Sequence, residues 1–212
     1  MQKFSFFWYF MGQTNTLIIE KNVQGRRETH SMKPFSIFLP QIEQNGIIFA
    51  SPHSGTYFPD DFIQKIALDP DILHHSGDLM VDELIQNTPD HGATTFINHY
   101  ARTYVDTNRS PREIDANMFS DLGQKNNFIR TDKVQRGFGV ISRRAFNGLE
   151  IYSSLLCADE IDHRLNQVYH PVHKALTEIL TSLHLKCHFY LFLDCHSMPS
   201  YRFMDPTLSR VS

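Results

Sequence analysis

The sequence predicts an α/β fold: a single three-layer domain with a central, mostly parallel or mixed sheet and flanking helices. Two apolar runs, Ile47-Ile48-Phe49-Ala50-Ser51-Pro52-His53 and Phe189-Tyr190-Leu191-Phe192-Leu193-Asp194-Cys195-His196, read as buried strands that end in a histidine. Between them lies a long amphipathic stretch. Strand, helices and then another apolar strand imply crossover connections, which set strands side by side in parallel. The 212 residues, 41% hydrophobic and 20% charged, suffice for one substantial core.

Taken in chain order, the N-terminal run Phe4-Ser5-Phe6-Phe7-Trp8-Tyr9-Phe10-Met11 follows a lone Lys3 and is too short to span a bilayer. No small-residue cleavage site follows it. It is read as an appended or edge-packing segment, an alternative to a secretory signal. Residues 1–31 are expected to form a poorly ordered N-terminal extension. The domain itself is expected over 32–212, with Met32 an alternative start. Strands are expected at 46 to 51, 94 to 98, 103 to 106 and 188 to 194, where β-branched and aromatic residues concentrate. Helices are expected at 60 to 67, 78 to 87 and 153 to 184. In the last, Leu155, Ile161, Leu165, Val168, Val172, Leu176, Ile179, Leu180 and Leu183 recur at helical spacing, and Pro171 is expected to kink or divide it.

Charge and cysteine usage narrow the partners. A net charge of −3 and a pI near 6.4 give no global footprint for nucleic acid, and no stretch is suited to a membrane span, so a small molecule is the expected partner. Cys157, Cys187 and Cys195 form no C-x-x-C pair, and their odd number argues against a disulfide framework. A cytoplasmic location is expected.

The chemistry begins at Ser51-Pro52-His53-Ser54-Gly55, where Pro52 holds the backbone extended and Gly55 permits a turn that aims His53 out of a strand end. Open α/β sheets bind ligands beyond the carboxyl ends of their strands. A lone strand-end histidine is more often structural, so partners decide the matter. Asp78 is either a hard oxygen ligand or a carboxylate favoured at a helix N-terminus, with Asp82 one turn on as the alternate. His196 follows Asp194 and Cys195 and precedes Ser197, a dense polar group at the end of an apolar strand. Two histidines and a carboxylate leave a fourth position open on a divalent ion, the arrangement of a hydrolytic zinc site. Asp194 is then placed to orient a ligand, with Ser54 and Ser197 beside the ligands. In Val105-Asp106-Thr107-Asn108-Arg109, the Arg109 fork matches a carboxylate; the alternative is a turn in which Arg109 pairs with Asp106 or Glu113.

These segments, with Gly139-Val140-Ile141-Ser142-Arg143 and Leu193-Asp194-Cys195-His196-Ser197-Met198-Pro199-Ser200, resemble the N-formylglutamate amidohydrolase family over residues 46 to 200. The family looks like a branch of the zinc carboxypeptidase-like hydrolases, with a phosphorylase/hydrolase-like sheet. The resemblance implies that His53, Asp78 and His196 hold zinc, that Asn108 and Arg109 contact substrate, and that Arg143 holds a second carboxylate. It also matches His173 to a family histidine; on an apolar helix such a residue is more often part of the core. The implied reaction is hydrolysis of N-formyl-L-glutamate, or a related N-acyl acidic amino acid, to formate and glutamate, a closing step of histidine degradation. Mn, Fe, Co or Ni would also suit the ligand set.

Relatives carry a general-base glutamate after the last of these strands, whereas no Glu follows Glu178 here. Glu83 and Glu113 have no motif support for that role, so the resemblance predicts a C-terminally truncated domain with impaired turnover and a tendency to self-associate. Two other readings stand beside the enzyme. One is a silent relic that binds a metal or an acidic ligand; the other is an interaction module that docks through the N-terminal aromatic run.

Overall fold

The structure, a computed structural model, describes residues 3–9, 32–122 and 127–198, with residues 3–9 described by their backbone. The expectations for residues 10 to 31 and for the polar tail 201 to 211 lie outside the described residues. β1 (Lys3–Tyr9), β2 (Phe35–Phe38), β3 (Ile47–Ser51), β4 (Thr94–Asn98) and β5 (Leu191–Met198) form a five-stranded sheet in the order β1-β5-β3-β4-β2. The central strand β3 runs parallel to both neighbours, with Ile48 opposite Thr94 and opposite Phe192. Both edges are antiparallel: β1 pairs β5 from Lys3 with Met198 to Tyr9 with Phe192, and β2 pairs β4. The sheet is therefore mixed.

Side-chain alternation along the strands gives each face its own layer. On one face Ile48, Ala50 and Phe96 join the main core with Val168, Val172 and Leu183 of the C-terminal helical segment. On the other, Cys195 packs with Val81 and Ile85 of α3 (Val81–Ile85), flanked by Phe49 and Leu193. Three layers result. The short α1 (Asp60–Ile63) and α2 (Pro70–His74) add Phe62 and Leu73 to the main core; α2 begins with Asp69 accepting the Asp71 N–H and Pro70 at its first turn, where a missing N–H costs no bond.

Several expected elements differ from the observed ones, and the helices expected at 60 to 67 and 78 to 87 shorten to α1 and α3. Residues 103 to 106 form a turn, not a strand, because Tyr104 and Val105 bond back to the Ala101 carbonyl. The last strand runs to Met198, so His196 lies within β5, its polar side chains partnered across the strand end. The expected helix over 153 to 184 begins only at α5 (Asp159–Arg164), passes through a π-helical turn at Leu165–Tyr169 and continues as α6 (His170–Cys187). Leu155 falls outside it and is exposed. The expected division falls just before Pro171, at the π-helical turn, and Pro171 stands in the first turn of α6, where a missing N–H costs least.

Arg164 is wholly buried at the end of α5. Its Nε and Nη2 donate to Glu160 Oε2 at 2.9 and 2.7 Å, and Nη1 donates to the Tyr152 hydroxyl at 2.8 Å. The guanidinium sits 4.7 Å from the Tyr104 ring centroid, and Lys65 reaches the other oxygen of Glu160. Every face of this buried charge is taken up, as burial of a charge requires.

Candidate metal centre

His53 leaves β3 on a segment held tightly to β4. The Asn98 amide donates to the Pro52 carbonyl at 2.9 Å, and Gly55 sits where a Cβ would come within 2.4 Å of the His99 carbonyl carbon. Glycine is needed there for close approach rather than for a left-handed turn. Asp78 lies in a turn three residues before α3, not at the helix start; its N–H donates to the His53 carbonyl at 2.9 Å, which ties the two backbones together. His196 arrives from β5 on the same side.

The structure brings these three side chains to one point, both His53 and Asp78 being buried. His53 Nδ1 lies 3.2 Å from His196 Nδ1 and 3.4 Å from Asp78 Oδ2, and His196 Nδ1 lies 2.8 Å from the same oxygen. Ligands about 2 Å from a tetrahedral ion stand about 3.3 Å apart, close to this spacing. Tautomers strengthen the fit. His53 Nε2 donates to Asp106 Oδ1 at 2.7 Å, and His196 Nε2 faces Asp194 Oδ2 at 3.0 Å. With a carboxylate taking the Nε2 proton of each ring, both Nδ1 lone pairs turn inward beside the Asp78 oxygen, a set that wants a shared cation.

The electrostatics agree. Burial pulls the His196 imidazolium down, but hydrogen bonds and charge from Asp194 and Asp78 reverse this and raise it to about 9. Burial pushes Asp78 up, yet His196, His53 and the charge of Arg102 hold it below the usual carboxylate range. Burial acts likewise on Asp106, where His53 and Arg102 prevail and keep it well below that range. In the absence of an ion, a proton on His196 does the neutralising.

Asp106 joins the cluster although the sequence offers it only as a turn partner of Arg109. Arg109 does approach it at 3.8 Å, whereas Arg102 Nη2 donates to it at 2.8 Å and His53 is its main partner. The available signal was a carboxylate directly after buried Tyr104 and Val105, a place where a charge must find partners. Ser197 Oγ lies 3.4 Å from Asp78 Oδ1, and Ser54 Oγ accepts from Ser51 Oγ at 2.7 Å, so it braces the loop rather than the ligands.

Asn108 and Arg109 lie on opposite sides of one segment. Asn108 Nδ2 is 3.1 Å from Asp194 Oδ2 and 3.2 Å from His196 Nε2, and it lines an apolar cavity of about 280 Å³ between the sheet and α6. Arg109 lines a separate, basic cavity of about 370 Å³, and its buried Nε has no hydrogen-bond partner among the described residues. The segment is pinned from the helical layer: the Tyr169 hydroxyl donates to the Arg109 carbonyl at 2.8 Å, and His173 Nε2 meets the Thr107 carbonyl at 2.9 Å. Burial lowers the pKa of His173, which suits a neutral ring giving its N–H to a carbonyl. Both pegs stand at the π-helical turn or just after it, a kind of irregularity frequent at functional sites. Arg143 is not brought to this site. Its Nε donates to Asp115 at 2.8 Å and its Nη1 to Glu150 at 2.6 Å, beside different cavities.

Residues 45–209 match the family described as N-formylglutamate amidohydrolase. The chain belongs to the N-formylglutamate amidohydrolase family. The crystal structure of N-formylglutamate amidohydrolase from Ralstonia eutropha JMP134 aligns with a TM-score of 0.75 at 30% identity, over 85% of this chain and 63% of that one. The chain thus spans less than two thirds of that relative. A gene product of Agrobacterium tumefaciens aligns at 17% identity with a TM-score of 0.44, over 71% of this chain and 51% of that one. No curated protein matches the chain. Among the described residues, no helix of this family member is long and apolar enough to cross a membrane.

Proposed function

We propose that this family member is a zinc-dependent amidohydrolase acting on N-formyl-L-glutamate or a related N-acyl acidic amino acid. The observation that carries the proposal is the convergence of the two Nδ1 atoms and Asp78 Oδ2 within 3.4 Å of one another, each ring backed by its own carboxylate. His53, Asp78 and His196 would hold the ion, which when bound supplies Lewis acidity to polarise an amide carbonyl and activate water.

The chain's own residues do the rest. Asp106 and Asp194 keep the Nε2 protons in place and the rings oriented, which fixes the ligand geometry before substrate arrives. The Asn108 amide, beside His196, is placed to donate to an acyl oxygen, a group on which negative charge grows as the amide is attacked. Arg109, whose Nε has no hydrogen-bond acceptor among the described residues, offers a charge-assisted bond to a substrate carboxylate. Contact at either point would hold the substrate in place and so remove orientational freedom. Glu113 is occupied elsewhere, accepting from the Ser110 N–H and the Thr131 hydroxyl at 2.9 and 2.8 Å.

The purified chain, loaded with zinc, is expected to hold one ion per molecule by elemental analysis and to release formate from N-formyl-L-glutamate. Zinc binding without formate release sinks hydrolysis and leaves a binding protein; failure to bind any divalent transition metal sinks the site.

A further inference from the structure

We propose that the apolar hollow between the sheet and α6 is a binding site of its own, for a small uncharged molecule that carries an amide on an apolar body. None of the three candidate metal ligands lines it, so the inference stands apart from the hydrolytic reading.

Phe96 of β4 and Phe192 of β5 wall the hollow on the sheet side, and Val172, Leu176 and Leu180 of α6 face them across a volume of about 280 Å³. An apolar cavity of about 150 Å³ is enough for a benzene ring. A ring with a short polar head therefore fits, and its burial against these walls is favourable. Charge selects what the head can be. The basic cavity gathers Arg102, Arg109, Lys133 of α4 (Asp132–Gln135), Arg136 and Arg144, whereas no lysine or arginine lines the hollow. Its one carboxylate, Asp194, is already taken up by His196 and the Asn108 amide. Burial favours the neutral form of His173. An ion entering here meets no free counter-charge, so the occupant is uncharged.

Two polar atoms define the head group. Asn98 is wholly buried, and its amide nitrogen donates to the Pro52 carbonyl at 2.9 Å and to the Tyr100 carbonyl at 3.3 Å. Both of its N–H groups are thereby spent, and Oδ1 has no hydrogen-bond partner among the described residues. The buried Thr107 hydroxyl has none either, and both residues line the hollow. Buried groups of this kind are rarely left so. A carboxamide answers both at once, its N–H donating to Asn98 Oδ1 and its carbonyl accepting from the Thr107 hydroxyl. A carboxylate has nothing to give Asn98, and a hydrocarbon answers neither.

Ligand-observed NMR titrations of the purified chain with benzamide, benzoate and toluene test the assignment. Benzamide is expected to saturate with a Kd of about 1 mM or tighter, whether zinc is loaded or stripped. In the stripped chain benzoate should bind at least about tenfold more weakly, because its charge is left unpaired. Leu176→Phe and, separately, Leu180→Phe fill the hollow and should abolish binding of benzamide and toluene alike, with a cooperative melt to check that each variant folds. Thr107→Val keeps the shape and removes the hydroxyl, so it should weaken benzamide by about two- to tenfold and leave toluene unchanged. The site is overturned if benzamide does not saturate, if benzoate equals it, or if folded filling variants bind as before. It is equally overturned if Thr107→Val leaves benzamide unchanged or weakens toluene as much, or if benzamide binds only with zinc loaded, which would place it on the ion. Binding that survives zinc removal supports the site even where no formate is released from any N-formyl amino acid, an outcome that defeats only the hydrolytic reading.

Discussion

Two polar clusters in the interior solve opposite problems. Around Arg164 every donor has an acceptor: Glu160, the Tyr152 hydroxyl and the Tyr104 carbonyl take its N–H groups, and an aromatic ring covers its face. Around His53 and His196 the outward nitrogens are satisfied by Asp106 and Asp194, while the inward ones face each other at 3.2 Å. The first cluster is closed and serves stability. The second gathers two inward nitrogens around one Asp78 oxygen, with the titration of His196 and Asp78 shifted, which marks it as a candidate site.

The widest separation between the clusters comes from removing one member of each. His196→Ala should lower zinc affinity by more than the ~100-fold that an orienting carboxylate can command, while cooperative unfolding persists. Arg164→Met should do the reverse, costing about 3 kcal/mol in urea unfolding because Glu160 and Tyr152 are left without their partner, with zinc stoichiometry intact. If both variants lose metal and stability alike, the distinction between a closed cluster and an open one fails.

A finer probe is Asp106→Asn, which preserves shape but removes the charge that fixes His53. Zinc affinity should fall by about 10- to 100-fold in a chelator competition. No change would mean that His53 is oriented by packing alone.

The gentlest probe is pH. His196 is raised from 6.5 to about 9, so in the metal-free protein its proton contributes stability that is fully present below pH 6.5 and is lost as pH rises through about 9. The urea midpoint of the metal-free chain should therefore decline across that window. Zinc must displace the same proton, so its affinity should climb by about tenfold per pH unit up to the same limit. Flat profiles in both would show that His196 does not carry the proton.

Much of this was legible in the sequence because two of the ligands sit where local patterns end. His53 and His196 each close an apolar run, and the eye is drawn to a polar residue at such a boundary. Asp78 was visible as a carboxylate near a helix, although the helix starts at Val81 and the turn before it does the positioning. The role of Asp106 was not legible: its partner His53 is distant in sequence, and a nearby arginine offered a local explanation. The helical expectation failed at Leu155 for a related reason, since spacing alone cannot say where an apolar stripe meets the core.

One peptide segment couples the two cavities. His173 pegs the Thr107 carbonyl and Tyr169 the Arg109 carbonyl, while the Asn108 side chain turns to the apolar hollow and that of Arg109 to the basic one. The two side chains therefore share a single mount. A change that rotates this mount shifts the amide and the guanidinium together, so the grip on one end of a ligand cannot be retuned in isolation from the other.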